Sequence, residues 1–152
     1  MGFVYAEIEL ISSVDLILHR RGQLEEDQIR RVRVAALADT GAYNLVISER
    51  VREQLDLPIL EERVARLADD SLCNVKVAGP VEIRFENRRT STDALVFAAD
   101  VEVLLGSIPM EDLDVIVDPK HQRLRVNPAS PDVPLTYIKR IEALYTPHVN
   151  RT

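Results

Sequence analysis

The segment Leu37-Ala38-Asp39-Thr40-Gly41-Ala42 places one carboxylate at the end of an apolar run, immediately before three small residues. An ionised carboxylate there is poorly solvated. It must find hydrogen-bond donors, share a proton or do chemistry. Asp, Thr and Gly are also ordinary turn formers, so the triplet alone would read as a turn. A second feature adds weight: Val103-Leu104-Leu105-Gly106, a strongly apolar stretch that stops on glycine further along the chain.

Other reactive side chains form weaker patterns. Cys73 is the single cysteine, which excludes an intrachain disulfide and any cysteine-cluster metal site. It has no histidine nearby in sequence to activate it, so it reads as a small packed side chain. His19, His121 and His148 are scattered without ligand spacing. Glu111, Asp112, Asp114 and Asp118 could gather a hard cation, but their spacing fits no EF-hand loop, and solvated turns explain them better. Arg30, Arg31 and Arg33, and Arg88 with Arg89, lack interleaved aromatics; they read as partners of Glu25, Glu26 and Asp27 or as solvated charge. Gly-rich phosphate loops are absent.

The elements that must hold Asp39 are short strands. Val4 to Leu10 alternates, with Glu7 and Glu9 on one face and Ala6, Ile8 and Leu10 on the other. Val14 to Leu18 is a second apolar run, followed by a polar loop from His19 to Gln28. Arg31 to Val34 alternates and then turns wholly apolar through Ala38, as a strand running into a buried centre does. Tyr43 to Ile47 follows the Asp39 turn. Ser48 is an N-cap for a short helix with Glu49 in its first turn and Val51 and Leu55 on one face, stopped by Pro58. Arg63 to Leu67 and Leu72 to Val77 read as a hairpin around the polar turn Ala68-Asp69-Asp70-Ser71. Val81 to Phe85, Thr92 to Ala98 and Val101 to Leu105 are further strands, and Met110 to Leu113 is one helical turn. Val115 to Val117 and Leu124 to Val126 flank a turn at 118–121. Pro128, Pro131 and Pro134 then mark an extended spacer before a docked helix over Leu135 to Leu144. Such spacing predicts an all-β barrel or sandwich. The expected division is a domain over 1–127 and an extension over 128–152.

With those elements in order, the chain resembles the retroviral-type, or retropepsin-like, aspartic proteases. Their pattern is apolar strand, DTGA, short helix, flap hairpin, then two apolar residues and glycine followed by a helical turn. The resemblance runs from about Ile29 to Leu113. It implies a barrel with a flap, one short helix and one or two helical turns, and peptide hydrolysis without metal or organic cofactor. Two carboxylates share one proton; one activates water and the other donates to the scissile carbonyl. Only one Asp-Thr-Gly occurs here, so Asp39 of two chains would have to meet across a two-fold axis in a homodimer. The resemblance gives Thr40 a hydroxyl bond across that axis, Gly41 a tight turn, and Ala42 a place beside the substrate. It sets Leu105 and Gly106 behind the catalytic loop and makes Ala68, Asp69, Asp70 and Ser71 the flap tip over a peptide or protein substrate. Two departures stand out. Ser107 replaces an arginine that often helps pair the subunits, and the flap tip is acidic where glycine is common. That acidity predicts a preference for basic or uncharged side chains near the scissile bond.

The hydrophobic fraction of 46% and charged fraction of 29% are those of an ordinary globular chain, which excludes disordered and fibrous classes. A net charge of -6 argues against nucleic acid or an anionic membrane as partner. The first twenty residues contain Glu7, Glu9 and Asp15 and no basic segment before an apolar one, so a cytoplasmic location is expected. Two rival readings remain: a catalytically silent dimeric barrel used for protein binding or assembly, and a metal-dependent hydrolase built on Glu111 to Asp118.

Overall fold

The structure, a computed structural model, describes residues 2–98 and 100–138. Its strands are β1 (Tyr5–Ser12), β2 (Arg31–Ala38), β3 (Leu45–Ser48), β4 (Ile59–Arg66), β5 (Leu72–Phe85), β6 (Arg88–Phe97), β7 (Leu104–Leu105), β8 (Val115–Asp118) and β9 (Arg123–Val126). Its helices are α1 (Ser13–Arg20), α2 (Glu49–Leu55) and α3 (Ser107–Leu113), with a 3-10 turn at Glu26–Gln28. Six strands close into a barrel in the order β1-β2-β7-β3-β6-β5, and β5 pairs back to β1. β4 extends the sheet beyond β5, and β8 with β9 forms a separate ribbon. The fold is mostly β.

The alternating apolar residues fill the barrel. Ile8 and Leu10 of β1, Leu45 and Ile47 of β3, Ile83 of β5 and Leu105 of β7 are buried in one cluster. Burying a side chain of that size contributes roughly 1.5–3 kcal/mol, so this shared interior is what holds the closed sheet. β5 serves two sheet regions: its first half pairs with β4, and Val81 to Arg84 pair with β1. A register shift between Ala78 and Val81 bends it between those tasks. Gly79 sits in that bend, where an added Cβ would lie 2.5 Å from Asp93 Oδ1 and 3.0 Å from its Cα.

Several local expectations differ. The apolar run at Val14 to Leu18 is part of α1. Ser12 caps that helix by accepting from the Asp15 N–H at 3.2 Å, and His19 and Arg20 lie in its last turn. Ile11, Leu16 and Ile29 form a small second core there. Among the described residues there are thus three α-helices where one helix and one or two turns were expected, because Ser13–Arg20 forms α1 and α3 starts directly after Gly106 rather than at Met110. β4 begins at Ile59, four residues early, and β5 runs unbroken through Gly79. The strand at Val101 to Leu105 shortens to two residues.

Residues 128–135 are not a free spacer. Ser130 Oγ and the Leu135 N–H both donate to Asp114, the latter at 2.8 Å. Arg88 donates to the Ser130 carbonyl, and Asn87 Nδ2 reaches the Pro131 carbonyl at 2.9 Å. Leu135 to Ile138 are exposed and form no helix; the rest of the expected C-terminal helix lies outside the described residues.

Candidate active site

Asp39 owes its position to the strand order. β7 lies between β2 and β3, parallel to β2 (Leu37↔Leu104, Ala38↔Leu105) and antiparallel to β3 (Leu45↔Leu105). The chain leaving β2 must therefore cross the end of β7 to enter β3, and residues 39–44 make that crossing. Four backbone bonds fix the loop. The Asp39 N–H donates to the Leu105 carbonyl at 3.0 Å, and the Ala42 N–H to the Asp39 carbonyl at 3.2 Å. From α3, the Ser107 and Ile108 N–H groups reach the Ala42 and Tyr43 carbonyls at 2.8 and 3.0 Å.

Gly106 lies directly under the crossing. A Cβ there would stand 2.5 Å from the Asn44 oxygen and the Tyr43 carbonyl carbon, and 2.6 Å from the Asn44 nitrogen. Those are backbone atoms that cannot turn away, so glycine is needed for the close approach. Leu105, fully buried, packs beneath. The Asp39 carboxylate accepts from the Gly41 N–H at 2.9 Å, which holds Oδ1 over the turn. Asp39 and Ala42 are half-buried, and Thr40 and Gly41 are exposed.

Facing this loop is the β4–β5 hairpin. Between them lies a groove of about 660 Å³. Gly41 and Ala42 form part of one side and β4 residues from Arg63 onward part of the other, with Val46, Leu95, Phe97 and Leu104 among its apolar lining. Asp39 stands beside this lining rather than in it. The hairpin ladder ends at Arg66↔Leu72, and the Leu67 N–H donates to the Ser71 carbonyl at 2.8 Å, so the tip has five residues rather than four. Ala68 lines the groove, whereas Asp69, Asp70 and Ser71 do not. The Ser71 hydroxyl and N–H both donate to Asp69 and hold its carboxyl below the usual range. Asp70 adopts a left-handed backbone (φ 66°) and lies 3.7 Å from Arg66.

The remaining candidates are dispersed. Asp112 accepts from Thr90, and Asp118 from His121 at 2.9 Å, which lowers the Asp118 pKa. Asp114 accepts from Ser130, Asn127 and Leu135, and these donors bring its pKa down to about 2. Among the described residues, no group of three or more His, Cys, Asp or Glu gathers as a metal site would. His19 bridges the Leu24 carbonyl and Glu26, Cys73 is half-buried opposite Ala65, and His148 lies outside the described residues.

Arg88 was misread. Its side chain is 0% exposed, bound to the Ser130 carbonyl and 3.8 Å from Asp114, and its Nε and Nη1 have no hydrogen-bond partner among the described residues. Arg89 instead pairs with the buried Glu82 at 2.8 Å. No sequence signal separated the two neighbours; strand alternation alone sends one inward.

Compared with known proteins, the sequence matches no family model and no curated protein. Among the described residues no helix is long and apolar enough to cross a membrane.

Proposed function

We propose that the chain is a retropepsin-like aspartic endopeptidase that works as a homodimer. One observation carries this reading: Asp39, held by the Gly41 N–H on a loop crossing Gly106, stands beside a groove faced by a hairpin. That is the arrangement peptide hydrolysis needs from each half-site. An extended substrate chain would lie between loop and hairpin, with a carboxylate at its edge.

The chemistry requires a second carboxylate. Each chain supplies one, so two Asp39 loops meet on a two-fold axis. At about 3 Å two such groups cannot both ionise, and they titrate as a unit holding one proton. The ionised member takes a proton from water, whose oxygen attacks the scissile carbonyl carbon. The protonated member donates to the carbonyl oxygen, giving a tetrahedral diol. Collapse of the diol breaks the C–N bond as the amine nitrogen is protonated, and the shared proton is restored. Exposed apolar side chains support pairing at this end of the barrel: Tyr43 is 71% and Ile108 56% exposed, and both belong to segments bonded to each other.

The test is cleavage of a quenched peptide library by the purified chain. Cleavage should survive chelator, be blocked by a hydroxyethylene peptide that mimics the diol, and fall by at least about a hundredfold in Asp39→Asn. Cleavage that persists in Asp39→Asn rejects the mechanism. A dimer that binds peptide without cutting it points instead to the silent binding barrel.

A further inference from the structure

The charged side chains lining the groove beside Asp39 are Arg63 and Arg66, both cations. The acids of the hairpin tip do not reach it: Asp69 is taken up by Ser71, and Asp70 lies against Arg66. Arg63 and Arg66 sit on opposite faces of β4, because residues three apart along a strand point opposite ways. Register decides which one faces inward. Arg63 is opposite Val75, cross-strand partners share a face, and Val75 is buried and lines the same groove. Glu61, two residues earlier on that face, accepts from Arg63 Nε at 2.7 Å. This uses one N–H of the guanidinium. Nη1 and Nη2 make no other hydrogen bond among the described residues, and the side chain is 58% exposed. The groove therefore presents a planar cation next to the apolar surface of Leu95, Phe97 and Leu104.

We infer that the groove selects an extended peptide carrying a bulky apolar residue and, two residues away, an acidic one whose carboxylate is received by Arg63. Alternate side chains of an extended chain project to one side, so the spacing is even, and two residues is the shortest that puts both side chains on the groove face. A guanidinium suits this task because its fixed fork matches a carboxylate. The inference reverses the preference expected from the acidic tip, whose carboxylates are bound locally and are not part of the lining. Its description of the ligand as a substrate rests on the endopeptidase reading; its account of what the groove binds does not.

Two arms keep those claims apart. Fluorescent peptides with a fixed Phe and Glu, Gln or Lys two residues from it are titrated into the full-length Asp39→Asn chain, followed by anisotropy. The Glu peptide should bind about fivefold more tightly than the Gln peptide, and the Lys peptide most weakly, with the differences shrinking at high salt. Adding Arg63→Gln should level Glu and Gln, and adding Arg63→Glu should place Lys first. Failure of every peptide to bind, equal binding of all three, or an order unchanged by Arg63→Glu overturns the inference. The wild-type chain is then assayed for cleavage of the same peptides. Peptides bound in this order but left uncut reject the endopeptidase reading alone; peptides cut without regard to the neighbouring charge reject the selectivity alone.

Discussion

A methyl group at position 106 has nowhere to go. The nearest atoms belong to the backbone of Tyr43 and Asn44, so Gly106→Ala must push the crossing loop outward. Overpacking of this kind costs about 1–3 kcal/mol. Urea unfolding should register that loss, and because the displaced loop carries Asp39, cleavage should fall further than stability does. Asp114 provides the second test at this scale. Its pKa in the folded chain is about 2, against 3.8 for the free side chain, because Ser130, Asn127 and the Leu135 N–H donate to its ionised form. A depressed carboxylate pKa means that the unfolded chain binds the proton more readily. The stabilisation is thus complete above about pH 4 and is lost as pH falls through about 2. Melting curves for wild type and Asp114→Asn should differ at neutral pH and converge as acid is added. A constant gap across that range contradicts the assignment.

At the scale of elements, the stretch from Asn127 to Leu135 behaves as part of the barrel. It donates to Asp114 and supplies the carbonyl that receives the buried Arg88. A chain ended after Asn127 strips that carbonyl from an enclosed cation, whereas one ended after Ile138 keeps it. The first truncation should lower the melting midpoint by at least about 3 °C relative to the second. Equal midpoints would return these residues to the role of spacer. The capped helix α2 gives a smaller effect: Ser48 Oγ accepts from the Val51 N–H, and Ser48→Ala should cost about 1 kcal/mol in the same unfolding assay. These elements also show where sequence reading succeeds. α2 was legible because Ser48, the apolar pair Val51 and Leu55, and Pro58 all speak locally. β1 was legible through its alternation. α1 is not legible because Val14 to Leu18, apolar except for Asp15, outweighs the Ser12 cap and basic last turn, and β4 starts before the sequence suggests because its exposed residues carry no alternation. The grip on Arg88 and the facing of Arg63 depend on pairings between distant residues, which no local pattern contains.

For the whole molecule, one strand arrangement explains why the site residues lie so far apart in sequence. β7 must slide between β2 and β3 for Leu105 and Gly106 to lie under the Asp39 crossing, and the hairpin must grow from β5 to face it. Asp39, Gly106 and the hairpin could each be picked out from the sequence. The resemblance already sets Gly106 behind the Asp39 loop and the hairpin over the site, but the presence of Arg63 rather than Asp69 or Asp70 in the groove lining belongs to the folded chain alone. What one barrel lacks is a second carboxylate, and everything proposed for its chemistry depends on another copy bringing it. Subunit mixing reads this most directly: a fixed amount of wild-type chain is equilibrated with rising amounts of Asp39→Asn chain, and peptide cleavage is measured. If each active unit takes one Asp39 from each of two chains, the added variant will draw wild-type subunits into inactive pairs and activity will fall steadily toward zero. Cleavage that stays constant as the variant accumulates would mean that a single chain holds a complete site, and the paired-carboxylate account would be wrong.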